Sequence, residues 1–275
     1  MHMPASAPTP RIKLVSIVQP LSWLARGWHD LLRCGWTSIA HGAAVAVFGA
    51  AMFLFAFDRF WLLAGALSGF LVVAPVLATG LYALSRALER GEPADEKLLF
   101  RTWTHWGNNR RTDPASYWCL VRFGLLLALA GTGWVLTSAA FITLFAPVPI
   151  ASPVDFMRHI VLAPEHFVFE MWLGLGGVLA APVFASSVIS MQLLLDRHVT
   201  ALEAVLASWR VVLANPVPMA LWAAILMGLT MLGFATALTG MLVIVPVLGH
   251  ASWYAYRDLL DTSGLPERAA PGART

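Results

Sequence analysis

The chain reads as an all-α polytopic membrane bundle, with six transmembrane helices forming three pseudo-repeated hairpins and an interfacial amphipathic helix leading into each. Three observations lead there. Hydrophobic residues fill 59% of the 275 positions and charged residues only 12%, about half the charged share of an ordinary soluble domain. The stretch from Val211 to Tyr256 carries no charged residue, about twice the ~20 residues that cross a bilayer. The segment Ala201–Ala255, which holds most of it, echoes the start of the chain. Ser208-Trp209-Arg210 aligns with Gly27-Trp28-His29, and Thr239 to Leu248 aligns with Ser68 to Leu77.

The expected spans are Ile39–Phe57, Trp61–Leu84, Tyr117–Phe145, Phe169–Leu195, Val217–Ala235 and Leu238–Tyr256. Continuous apolar runs of this length do not alternate with period two, as barrel strands must, so helices are the reading. Twelve Trp fit a membrane–water interface. With both termini placed in the cytoplasm, all but Arg59 and Arg158 of the 18 Lys and Arg face inward, as the positive-inside rule requires. The charge is spread along loops, so no nucleic-acid patch is indicated. Cys34 and Cys119 form no CxxC pair and fall on the inner side, against a disulfide or a Cys-based metal site.

Residues 1–19 lack the apolar core and cleavage site of a signal peptide and read as a disordered lead. Residues 263–275 read as a disordered tail. Residues 20–262 form one membrane domain. Its middle third follows the same pattern as the ends: Gly176 to Pro182 aligns with Gly69 to Pro75, Asp196-Arg197 with Glu89-Arg90, and Trp103 with Trp209. The units are about 20–90, 95–197 and 198–260, and the second has an extra outer loop near Ala146–Phe167.

In the first lead-in, Leu21–Arg33, the apolar set is Trp23, Leu24, Trp28, Leu31 and Leu32, with Arg26, His29, Asp30 and Arg33 on the other face. In the third, Thr200–Leu213, Leu202, Val205, Leu206, Trp209, Val212 and Leu213 form the apolar set, and Thr200 and Glu203 have capping-box spacing. Such helices lie in the headgroup plane. The alternative is that they extend the spans and pack on one another.

Pro75, Pro182 and Pro246 sit at matching places in the returning spans. Each removes a backbone donor and kinks its helix. A cavity lined by the kinks is one reading, and a shared packing kink the other. The units run in parallel, so the inverted symmetry of many transporters is absent. Besides Arg122 and Glu170 near span ends, the ionisable exceptions within the spans are His41 and His250. Two His from different helices can hold haem or copper, but these do not occupy equivalent repeat positions, so interfacial hydrogen bonding is the better account. In the outer loop Asp155, His159, Glu165 and His166 combine imidazole and carboxylate, a possible metal set, although their spacing fits no standard motif. A short apolar cap built on Phe156, Ile160, Val161 and Leu162 is the competing reading. Arg110-Arg111 are placed for anionic headgroups. No nucleophile elbow, phosphate loop or HExxH is present, so no cofactor is expected.

The stretches Gln19–Leu31, Ser68–Leu88 and Pro246–Leu259, above all Pro246-Val247-Leu248-Gly249-His250-Ala251-Ser252-Trp253, resemble a bacterial family of predicted integral membrane proteins, domain-of-unknown-function family 2189. The resemblance extends over about 16–262. It implies a multi-pass bacterial inner-membrane protein with no defined activity. The expected function is non-enzymatic, a scaffold, assembly or lipid-interacting protein whose partners are membrane lipids and other membrane proteins. A transporter or channel for a small neutral or lipidic solute is the alternative, and a haem or metal protein a weaker one.

Overall fold

The computed structural model describes residues 10–56, 60–104, 118–163 and 167–268. In chain order its elements are β1 (Arg11–Ile12), α1 (Gln19–Cys34), α2 (Trp36–Ala56), α3 (Phe60–Leu77), α4 (Thr79–Glu89), α5 (Glu96–Thr104), α6 (Trp118–Phe145) and α7 (Pro153–Phe156). After a π-helical turn at Met157–Val161 come α8 (Val168–Ser187), α9 (Ser190–Asp196), α10 (Ala201–Ala214), α11 (Pro216–Ala235), α12 (Met241–Leu259) and β2 (Leu260–Asp261).

The result is an all-α membrane bundle. Among the described residues five helical stretches are long and apolar enough to cross a membrane: Trp36–Ala56, Val72–Glu89, Cys119–Phe145, Val168–Asp196 and Pro216–Ala235. The expected sixth span corresponds to α12, which is not one of the five. Its second half carries His250, Ser252, Tyr254, Tyr256, Arg257 and Asp258, and every residue from Pro246 to Trp253 is buried. Helices α1, α2, α4, α9 and α11 all pack on it. Surrounded by protein, α12 can carry polar groups that a lipid-facing helix could not. It also starts later than expected. Thr236–Gly240 form a turn with Ala237 and Leu238 at φ 50° and 68°, and Thr236 Oγ1 accepts the Gly240 N–H at 3.0 Å.

Close backbone approach explains how α12 is held. A Cβ on Gly27 of α1 would lie 2.6 Å from the Val247 carbonyl oxygen, and one on Gly42 of α2 would lie 2.5 Å from that of Leu242. Small residues at such crossings let helices meet backbone to backbone. The core then fills with large rings. Trp23 meets Trp222 edge to face at 5.5 Å, and Trp253 lies 5.2 Å from Tyr256.

Two returning spans are broken rather than continuous. The expected Trp61–Leu84 span divides into α3 and α4 just past Pro75, and Phe169–Leu195 divides into α8 and α9 past Pro182. Proline cannot donate into the helical ladder. Thr79 Oγ1 donates to the Val76 carbonyl at 2.7 Å beside the first break, and Ser190 Oγ to the Ser186 carbonyl at 2.6 Å beside the second. Helix α12 runs through Pro246 unbroken.

Both terminal segments depart from the disorder expected of them. Arg11 and Ile12 pair with Asp261 and Leu260 in an antiparallel ladder. Asn215 secures the same segment, its Oδ1 accepting the Val15 N–H at 2.9 Å and its Nδ2 donating to the Lys13 carbonyl at 3.1 Å. At the other end Arg197 bridges Glu267, and the Arg268 N–H donates to the Asp196 carbonyl at 2.8 Å. The N-terminal segment is ordered by partners 200 or more residues away and the C-terminal one by partners about 70 residues away, which local composition does not reveal. Residues 1–9 and 269–275 lie outside the described residues.

At the opposite end of the bundle a second small core joins Ile142, Ile150, Ile160 and Val168. Trp172 packs beside it and donates its Nε1–H to Ser138 Oγ at 2.7 Å. This is the apolar cap read from Phe156 and Ile160, with Leu162 left exposed.

Candidate functional site

Helical spacing puts Trp23, Gly27, Asp30 and Leu31 on one buried face of α1. This corrects the sequence reading, which set Asp30 with the solvent-facing charges and Trp23 and Leu31 with Trp28. Asp30 lies at the end of a buried polar chain linking four helices. Ser85 Oγ of α4 donates to Asp30 Oδ2 at 2.8 Å, and the Tyr254 hydroxyl of α12 donates to the same oxygen at 2.9 Å. Ser85 Oγ also lies 2.7 Å from His250 Nδ1, and His250 Nε2 lies 2.9 Å from Ser38 Oγ of α2.

The hydrogen-bond directions follow from proton counting. Ser85 has one hydroxyl proton and spends it on the carboxylate, so His250 Nδ1–H donates to Ser85 and Nε2 accepts from Ser38. All the donors then point toward Asp30. Its Oδ1 is buried with no hydrogen-bond partner among the described residues. Burial pushes the Asp30 carboxyl above its ordinary range, opposed by the Ser85 and Tyr254 hydrogen bonds and by the charges of Arg33 and His29.

His41 lies near this chain but faces another feature. Its Nε2 is 3.0 Å from the Leu77 carbonyl oxygen, beside the α3–α4 break. The ring lines an apolar groove of about 360 Å³ between α2 and α5, with Ala44, Phe48, Leu77, Leu99 and Trp103. Thus both His residues make hydrogen bonds, as expected, and both are buried in the protein: His41 is 8% exposed and His250 0%.

A third polar cluster closes the end of the bundle where the termini meet. Asp196 of α9 forms an ion pair with Arg86, whose Nε lies 2.9 Å away, and accepts from Arg197 Nε at 2.9 Å, Arg90 Nη2 at 3.2 Å and the Tyr256 hydroxyl at 2.8 Å. Arg197 reaches on to Glu267 at 3.1 Å, and Arg86 donates to the Arg268 carbonyl. Nearby, Asp258 accepts from Gln19 Nε2 at 2.8 Å, Trp23 Nε1 at 2.9 Å and Arg26. The Arg26 guanidinium also sits 4.5 Å from the Tyr254 ring centroid. These contacts tie α1, α4, α9, α12 and the C-terminal segment together.

The remaining sequence-selected residues fall in separate places. Pro246 is buried, Pro75 half-buried and Pro182 exposed, and none of them lines the groove. Asp155 serves the N-terminus of α7: its carboxylate accepts the Ser152 N–H at 3.0 Å while Ser152 Oγ accepts the Asp155 N–H at 3.1 Å. Interaction with Ser152, backbone donors and the charge of His159 holds its carboxyl below the usual value. His159 stands on the π turn. Glu165, His166, Arg110 and Arg111 lie outside the described residues. Among the described residues no three His, Cys, Asp or Glu side chains gather as a metal set would require. The residues that sequence reasoning missed are Ser38, Ser85 and Tyr254. They carry no motif, and only the proximity of α2, α4 and α12 makes them a group.

Helices α1 and α10 each present two apolar faces. The buried face of α10 is Ala204, Ala207, Ser208 and Val211. On α1 the exposed apolar residues are Leu21, Trp28 and Leu32, and on α10 they are Leu202, Leu206, Trp209 and Leu213. The shorter α5 exposes Phe100 and Trp103. Arg33, Arg101 and Arg210 are exposed on the same three helices.

Residues 62–196 match a family described as predicted integral membrane protein (DUF2189). The chain is thus an integral membrane protein with several candidate spans, of a kind whose function is unknown. The match covers α3 to α9, apart from the first two residues of α3. It is narrower than the 16–262 expected and leaves the Pro246–Trp253 stretch outside it. No curated protein and no solved structure matches the chain.

Proposed function

We propose that this protein is a non-enzymatic, lipid-interacting scaffold of a bacterial inner membrane. In this reading α12 supplies the sixth span, both termini are cytoplasmic, and α1, α5 and α10 lie in the inner interface. The chain is three repeats of lead-in helix, outbound span and returning span.

One observation carries the reading. In the register that sets Trp209 on Trp28, Leu202 falls on Leu21 and Leu213 on Leu32, and all six side chains are exposed. Two helices far apart in sequence thus keep the same apolar stripe at the surface while their opposite faces bury different residues. Exposed Leu and Trp at helical spacing, with Arg at the edge, suit the headgroup boundary. Outside a membrane such stripes would be a liability.

Spin labels on Leu32→Cys and Leu213→Cys, in a Cys34→Ser, Cys119→Ser background in liposomes, test this placement. Interfacial helices give both labels high collision with oxygen and a shallow, matching depth. Free collision with an aqueous nickel reagent at both sites would put the stripes in water and end the reading. Native mass spectrometry adds the functional half: bound phospholipid is retained by the wild type and reduced when Leu21, Trp28, Leu202 and Trp209 are changed together to Gln.

A further inference from the structure

We infer that the groove between α2 and α5 is a binding site for a neutral glycerolipid with a free hydroxyl, its chain lying along α2 and its hydroxyl donating to His41. The inference rests on the lipid-interacting reading and names a ligand class for one site within it.

The shape comes from side-chain size. Ala40, Ala44 and Phe48 recur at four-residue spacing on one face of α2, so two alanines leave a trough that ends at an aromatic ring. The other wall is Leu99 and Trp103 of α5. Gly80 of α4 lets that wall approach, since a Cβ there would lie 2.7 Å from Leu99 Cδ1 and 3.1 Å from Trp103 Nε1. At about 360 Å³ the groove is in the range of small-molecule sites. It opens on a membrane-spanning helix whose Phe48 and neighbouring Val47 are exposed, so its surroundings are lipid chains.

Hydrogen-bond chemistry narrows the occupant. A carbonyl oxygen only accepts, so His41 must donate Nε2–H to Leu77. Among the described residues no carboxylate pairs with His41, and an unpaired charge in an apolar span is costly, so the ring is a neutral imidazole. The neutral ring then has Nδ1 as an acceptor, and Nδ1 has no hydrogen-bond partner among the described residues. A ligand that satisfies it supplies an O–H donor next to an apolar body. Ester and phosphate oxygens accept and cannot do this. A diacylglycerol, with two chains and one hydroxyl, has the required groups.

The test compares 1,2-dioctanoylglycerol with its 3-O-methyl ether, which keeps the chains and loses the donor. Binding is read by native mass spectrometry on the full chain in detergent. The expected result is about fivefold tighter binding of the hydroxyl form, the worth of one hydrogen bond in a dry site. His41→Phe should abolish that preference, and Ala44→Trp should fill the trough and remove binding of both compounds. Equal binding of the two by the wild type overturns the His41 contact. Undiminished binding by Ala44→Trp overturns the groove, as does a lipid-free dimer that protects α2 and α5. In each case phospholipid retention, measured in the same spectra, tells failure of this site from failure of the wider lipid reading.

Discussion

Helices α1 and α10 wear the same outer face over different inner ones. Outside, Leu21, Trp28 and Leu32 of α1 correspond to Leu202, Trp209 and Leu213 of α10. Inside, α10 is plain: Ala204, Ala207, Ser208 and Val211 pack mainly on α8 and α9. The inner face of α1 brings Gly27 onto the α12 backbone and Asp30 into a chain of hydroxyls and imidazole. In the proposed reading the shared stripe meets one environment common to both helices, the membrane boundary. The divergent faces meet different protein neighbours, and only that of α1 carries titratable chemistry.

The sharpest way to break the comparison is to change both helices at one register position. Gly27→Leu should destabilise the protein by about 3 kcal/mol, because a side chain there must push α12 backbone aside. Ser208→Ala at the matching site of α10 should be neutral or slightly stabilising, since the Ser208 hydroxyl is buried without a partner among the described residues. Thermal unfolding in detergent checks both. A Gly27→Leu protein that melts with the wild type would mean that α1 is not seated on α12.

Next in size is the anchor of α1. Asp258→Ala frees Gln19, Trp23 and Arg26 together and should cost about 2 kcal/mol, since Trp23 keeps its packing but loses a buried partner. Limited proteolysis should then cut within α1 before α10.

A smaller effect depends on pH. The Asp30 carboxyl titrates above its ordinary value of 3.8. The stability it contributes is therefore complete below that value and lost as pH rises through the raised folded one. Asp30→Asn keeps an acceptor for Ser85 and Tyr254 without the buried charge. Melting curves from pH 4 to pH 8 should show the variant gaining on the wild type as pH rises. A gap that is constant with pH would show that Asp30 does not titrate in this range.

Least disturbing should be Trp28→Ala with Trp209→Ala. Both rings are partly exposed, so folding should change by about 1 kcal/mol or less, while retention of lipid falls. Unequal lipid loss from the two single variants would split the common stripe into two functions.

The apolar part of the fold was legible from the sequence because lipid enforces a local rule: a helix that faces lipid is apolar through its spanning stretch, as α11 is throughout and as α2 and α6 are past His41 and Arg122. Helix α12 escaped that rule by lying inside the bundle. The breaks after Pro75 and Pro182 were marked by proline, but proline alone does not tell a kink from an interruption, and Pro246 produced neither a break nor a new helix. Arg86, Arg197 and Arg268 were readable as orientation charges. Arg197 is the sequence neighbour of Asp196, but Arg86 and Arg268 reach that segment across 70 residues or more, where no periodic signal exists. His41 and His250 stood out as ionisable groups in spans. What they do was hidden, because Ser38, Ser85 and the Leu77 carbonyl are unremarkable in sequence.

The seat of Gly27 on Val247 and Ala251 has a consequence in time. Helix α1 is made well before α12, since 220 residues separate Gly27 from Val247. Until α12 and the residues after it are made, Gly27 has no seat, Trp23 lacks Asp258, Asp30 lacks Tyr254 and β1 lacks β2. In the proposed reading the Leu21–Trp28–Leu32 stripe holds α1 at the membrane surface meanwhile. Contacts this distant in sequence are slow to form, and the bundle closes only when α1 meets a helix made some 220 residues later.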